Sequence, residues 1–168
     1  MELKYNKLNR LLEVFYEYPA KKFTVRALAK ITRMPTATVQ IYLQTLRRDR
    51  LINTNNEAAD TLLFRIKKIN YFIEKIVSSG LLEYLIQTYR PSCIIIFGSM
   101  RKGDSTRESD IDIFVETAIK IQPTLEKFEK FFHHKIQLFI EPNIRKLPKN
   151  LLTNVINGIK VYGSFELV

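Results

Sequence analysis

The chain has 168 residues, is 46% hydrophobic and carries a formal net charge of +10. That is ample for one compact domain or two small ones, and the apolar content excludes a disordered tail. Residues 1–90 hold 16 Lys and Arg against 8 Asp and Glu, a net of +8, whereas residues 91–168 hold 11 against 9, a net of +2. The basic excess of the first half points to a polyanionic partner, nucleic acid first. No apolar run approaches the length that spans a bilayer, and Glu13 and Glu17 interrupt the only early apolar stretch, so neither a membrane partner nor a signal peptide is expected. The single cysteine, Cys93, cannot form an internal disulfide and reads as core filler in a reducing cytoplasm.

In chain order, Leu8, Leu11, Leu12 and Phe15 recur at helical spacing and predict a first helix over 6–17, ended by Pro19. Thr24 is placed to cap a short helix over 25–31, and Thr32 to Pro35 form a tight turn. Pro35 suits the first turn of a third helix, Thr36 to Asp49, whose buried stripe is Val39, Tyr42, Leu43 and Leu46. Leu51-Ile52 begins an extended segment, residues 53–60 are polar and turn-like, and residues 61–66 read as a returning strand. Helix, helix, turn, helix and a two-stranded wing resemble the winged helix-turn-helix fold. In that fold the recognition helix enters the major groove of double-stranded DNA. The resemblance implies base and phosphate contacts from Gln40, Gln44, Arg47 and Arg48, opposite the apolar stripe, and a homodimer covering two half-sites. Ile41 also falls on that outer face, where a thymine methyl or a partner surface would both fit.

Residues 69–89 read as linking helices, with Gly80 as a C-terminal cap. No flexible linker is present, so the two halves are expected to be joined rigidly. Cys93 to Phe97 then form an apolar strand running into Gly98-Ser99. A polar loop leads to a second strand beginning Asp110-Ile111-Asp112. Alternation on a strand points Asp110 and Asp112 the same way and Ile111 into the core. Two carboxylates side by side repel unless a divalent cation lies between them, and Mg²⁺ favours such oxygen ligands. Gly98 accepts backbone conformations closed to other residues, and the Ser99 hydroxyl beside its own amide suits a bound phosphate.

These residues resemble the nucleotidyltransferase superfamily that includes DNA polymerase beta and the kanamycin nucleotidyltransferases. Its pattern is a strand, Gly-Ser, a loop of about ten residues and Asp-x-Asp on the next strand. Gly103 and the run from Ser109 to Ile113 also fit. The resemblance implies transfer of a nucleoside monophosphate from a nucleoside triphosphate, ATP foremost, to a hydroxyl. Asp110 and Asp112 would hold Mg²⁺ or Mn²⁺; Gly98, Ser99 and Ser109, helped by Arg101 or Lys102, would hold the triphosphate. It also admits an antitoxin-type role in which a partner protein is the acceptor. In that superfamily a third carboxylate comes from the following strand. Here Gln137 stands at that place, between Ile136 and Leu138. An amide is a weak neutral ligand and cannot take a proton at neutral pH. Glu141 shares the face of Gln137 and is the alternative third acid. Gln137 therefore keeps open a DNA-binding regulator whose second domain binds nucleotide without efficient turnover.

Residues 124–132 read as a helix, 135–141 as a third strand, 149–158 as a last helix and 160–167 as a terminal extended segment. His133-His134 read as a helix-end feature, with a general-base role for either as the alternative. The expected plan is α+β: a winged helix-turn-helix domain over 1–68, linking helices over 69–90 and a nucleotidyltransferase domain over 91–168. Its mixed sheet is expected to carry helices on one side.

Overall fold

The helical spacing of the first unit is realised as α1 (Glu2–Glu17), α2 (Val25–Thr32) and α3 (Thr36–Arg48). The computed structural model describes residues 2–166, with side chains from Lys7 onward. The Thr24 hydroxyl accepts from the Ala27 amide and starts α2, and Arg33, in the left-handed region at φ 53°, ends it. Leu11, Phe15, Leu28, Val39, Leu43 and Leu46 are buried as the three helices pack together. Phe23 meets the Phe15 ring edge-on, with centroids 5.7 Å apart.

After α3 the chain makes a tight reversal. Ile52 bridges Ala58, the Asn53 amide donates to the Glu57 carbonyl at 2.9 Å, and the Asn53 side chain accepts from the Asn55 and Glu57 amides. The returning strand expected over 61–66 does not form. Those residues open α4 (Leu62–Ser78), with the Thr61 hydroxyl accepting from the Phe64 amide. Exposure shows why alternation misled. A strand would bury Leu62, Phe64 and Ile66 together, yet Phe64 is 4% exposed, Leu62 75% and Ile66 46%. The Asp60–Arg65 ion pair at 2.7 Å spans the start of the helix.

The chain divides into two compact units, Met1–Lys68 and Ile69–Val168. In the second, Gly80 at φ 77° turns the chain from the end of α4 into α5 (Leu81–Tyr89). There follow β1 (Cys93–Phe97), the short α6 (Gly98–Lys102), β2 (Ile111–Glu116), α7 (Glu126–Phe132) and β3 (Ile136–Glu141). A 3₁₀ turn (Ile144–Lys146), α8 (Lys149–Ile156) and β4 (Ile159–Gly163) complete it. The terminal extended reading is met as far as Gly163; its last residue, Leu167, lies outside the described residues. The sheet order is β3-β2-β1-β4. β1 runs antiparallel to β2 and β4, and β2 runs parallel to β3.

The sheet is not covered on one side only, as the sequence suggested. Cys93, Ile95, Phe97 and Phe114 pack with Ile144, Leu147 and Val155 of the 3₁₀ turn and α8 region. The opposite face, Ile94, Ile96, Ile111, Ile113 and Val115, is equally buried. Every residue of β1 is inside, which explains its unbroken apolar sequence.

One buried carboxylate ties this unit together. Glu116, 7% exposed at the end of β2, accepts from the Ser92 hydroxyl and the Ile144 amide, both at 2.7 Å. Burial, with Glu116 nearby, pushes the Cys93 thiol up to about 11, so the side chain is an inert part of the core. Glu116→Ala removes both charge-assisted bonds and orphans a buried amide; denaturant titration is expected to show a loss of about 3 kcal/mol with little change in slope.

Candidate active site

The site begins where β1 ends. Phe97 pairs with Asp112 across the antiparallel ladder, so the turn at Gly98 passes beside the Asp112 side chain. A Cβ placed on Gly98 would lie 1.9 Å from Asp112 Oδ2, and Gly98 sits at φ 69°. Two independent constraints, space and backbone conformation, therefore demand glycine here. The polar stretch after it is not all loop: Gly98–Lys102 wind into α6, which buries Met100 and leaves Arg101 and Lys102 exposed. Gly103, left-handed at φ 74°, closes it, its amide donating to the Ser99 carbonyl at 3.0 Å.

The return to β2 is pinned at several points. The Ser109 hydroxyl accepts from the Thr106 amide at 2.9 Å, shaping the turn before the acidic pair. His134, 5% exposed, donates from Nδ1 to the Ser109 carbonyl at 2.7 Å, which fixes a proton on that nitrogen. The Ile111 amide donates to the Lys135 carbonyl at 2.8 Å. His134 is the positioning residue that sequence reading missed. Only its neighbour His133 is the expected helix end, left-handed at φ 59°. The one available signal was a buried-looking histidine immediately before an apolar strand.

Asp110 is exposed and Asp112 half-buried, with Ile111 fully buried between them. Burial and, second, the charge of Asp110 push the Asp112 carboxyl above its ordinary range. A pair of carboxylates under mutual repulsion, one in the cradle that Gly98 leaves open, is a donor set suited to a hard divalent cation.

The rest of the expected acidic set is not brought together. On β3, Gln137 is the direct partner of Asp112, while Glu141 pairs with Glu116. Four residues of strand separate Glu141 from that row, about 13 Å. Among the described residues, no three His, Cys, Asp or Glu side chains gather into a group able to hold a metal ion.

The other candidate face lies on α3. Gln40, Ile41, Gln44 and Arg48 are exposed, and Arg48 contacts Asp49 at 3.3 Å. Arg47 is instead half-buried, its guanidinium donating to the Asn56 side chain, which in turn donates to the Phe23 carbonyl at 3.0 Å. It braces the 53–57 reversal.

Comparison with known proteins agrees with the geometry of the second unit. The polymerase beta nucleotidyltransferase family model matches residues 79–166. That is just over half the chain, and the protein belongs to this family. It is also 33% identical over 76 residues to a Methanocaldococcus jannaschii protein that bears the name protein adenylyltransferase; the match covers 42% of this chain and 73% of that relative. No solved structure gives a significant match. No helix among the described residues is long and apolar enough to cross a membrane.

The raised carboxyl of Asp112 makes a signed prediction. Its ionised form is disfavoured in the folded chain, so the penalty is absent in strong acid and grows as pH rises through the folded value. Without divalent cations, Asp112→Asn is expected to raise the melting temperature at pH 7, and the gain is expected to vanish toward pH 3. A thermal melt in chelator across that range checks it; a loss of stability at pH 7 contradicts the repulsion.

Proposed function

We propose that this chain transfers a nucleoside monophosphate, adenylate foremost, from a nucleoside triphosphate to a hydroxyl on a protein acceptor. The observation that carries the reading is the fit of Asp112 into the space left by Gly98, with Asp110 beside it at the same strand end. Family membership supports the transferase class, and the name of the M. jannaschii relative supports a protein acceptor.

In this reading Asp110 and Asp112 hold Mg²⁺, which when bound neutralises triphosphate charge. The Gly98 and Ser99 amides and the Ser99 hydroxyl bind phosphate oxygens, and Arg101 and Lys102 add positive charge from the exposed side of α6. Ser109 and His134 act on the pair from behind, by fixing the turn that delivers Asp110. Catalysis is then mainly orientation and charge neutralisation.

The basic first unit is proposed to bind double-stranded DNA as a winged helix-turn-helix, with α3 in the major groove and two copies of the chain on one site. The exposed face of Gln40, Gln44 and Arg48 supports this. Arg47 is assigned chiefly to holding the reversal after α3. A cytoplasmic location follows from both partners. A second reading, a DNA-binding regulator that holds nucleotide and turns it over poorly, is favoured by Gln137 beside Asp112.

Labelled ATP separates the two. Incubation of the full chain with α-labelled ATP, Mg²⁺ and lysate protein is expected to give label on protein. Asp110→Asn and Asp112→Asn are each expected to reduce it at least 100-fold, an effect of about 3 kcal/mol. Nucleotide binding without any transfer favours the regulator. Loss of neither binding nor transfer in the double variant contradicts the site.

For the first unit, duplex binding by the full chain is expected to weaken steeply with salt. Arg48→Ala is expected to weaken it on all sequences, and Gln44→Ala to reduce discrimination by about 1–3 kcal/mol. Arg47→Ala is expected to lower the melting temperature as well. Salt-independent or absent binding in an electrophoretic shift assay contradicts this assignment.

A further inference from the structure

The row Phe97–Asp112–Gln137 runs across three strands at the site, its side chains sharing one face of the sheet. The next row on that face is Ile95–Phe114–Phe139, and the one after it Cys93–Glu116–Glu141. An apolar row thus separates the paired aspartates from the next acids on β2 and β3. The Phe97 and Phe139 rings, with centroids 5.3 Å apart, reinforce that separation. Both Glu116 oxygens are already taken by Ser92 and Ile144. Glu141 lies about 13 Å along the strand. His134 donates from Nδ1 to Ser109, and its ring is buried, which closes it to an incoming acceptor.

We infer that Gln137 makes this a one-cation site: the chain binds a single divalent cation with its nucleotide, and none of Gln137, Glu116, Glu141 and His134 serves as base for the acceptor hydroxyl. The inference rests on the nucleotidyltransferase reading of Asp110 and Asp112. Two carboxylates balance the charge of one divalent cation. A second cation within a few ångströms would need a further anionic donor, and the residue in register with Asp112 offers a neutral amide. Gln137 is exposed, so its amide is open to solvent beside Asp112. Its NH₂ group donates hydrogen bonds and removes no proton.

The transfer still balances. The acceptor hydroxyl oxygen forms a bond to the α-phosphorus, the bond from that phosphorus to the oxygen bridging the β-phosphate breaks, and pyrophosphate leaves with the electron pair. The hydroxyl proton goes to solvent water. An acceptor that ionises readily, or one present at alkaline pH, is therefore favoured over an ordinary alcohol at neutral pH.

The test counts cations. The full chain is saturated with α,β-methylene-ATP and titrated with Mn²⁺, with bound metal read by electron paramagnetic resonance. One Mn²⁺ per chain–nucleotide complex is expected, rising to two in Gln137→Asp, with spin–spin broadening from the close pair. Gln137→Glu serves as a second variant should the shorter acid fall short of the metal. Two Mn²⁺ in the native chain overturn the inference and leave the transferase reading standing, and a drop to one in Glu141→Gln would then identify the missing acid. No Mn²⁺–nucleotide bound by the native chain overturns the parent reading with it.

Discussion

A carboxylate resting where a glycine has no side chain governs the second unit. Asp112 can sit at the end of β2 only because Gly98 leaves its oxygen unobstructed, and Gly98 can turn the chain there only because it tolerates a positive φ. The contact fixes how β1 hands over to α6 and how closely the Gly-Ser backbone approaches the acidic pair. Those are the dimensions a triphosphate and its cation would have to fit. Antiparallel pairing of Phe97 with Asp112 sets the register, and the ladders to β3 and β4 extend it across the sheet.

The same strand shows how environment divides one chemical group into two roles. Glu116, two rows from Asp112 on the same face, is sealed in and satisfied by a hydroxyl and an amide. It joins the end of β2 to Ser92, before β1, and to the segment before α8. Asp112 is only half-buried and strains against Asp110. The satisfied carboxylate lies at one end of β2 and the proposed reactive pair at the other, with Phe114 between.

Much of this was legible in the residues. Period-3.6 apolar patterning located α1, α2 and α3 to within a few residues, and the unbroken run Cys93–Phe97 announced a strand, though its burial on both faces was not read from it. The Gly-Ser and Asp-x-Asp spacing pointed to residues that the structure brings side by side, Gly98 and Asp112, because both constraints are local. What escaped was decided at a distance. Residues 61–66 alternate well enough for a strand, but a Thr61 cap and tertiary burial of Phe64 alone draw them into α4. Arg47 looked like a surface contact because its partner, Asn56, lies across a turn whose shape the sequence does not display. The place of Gln137 beside Asp112, by contrast, was already expected from the resemblance; the pairing of β2 with β3 adds that Glu141 lies beside Glu116 instead.

The burial of Cys93 has a practical side. Its thiol is fully enclosed and held near 11, so almost none is thiolate at neutral pH, and alkylating reagents and mild oxidants have no route to it. The natural chain, with no other cysteine, is in effect a thiol-silent background. A cysteine introduced on α6 or on the outer face of α3 would be the single reactive handle, and a fluorophore or spin label could be attached there without first altering the core.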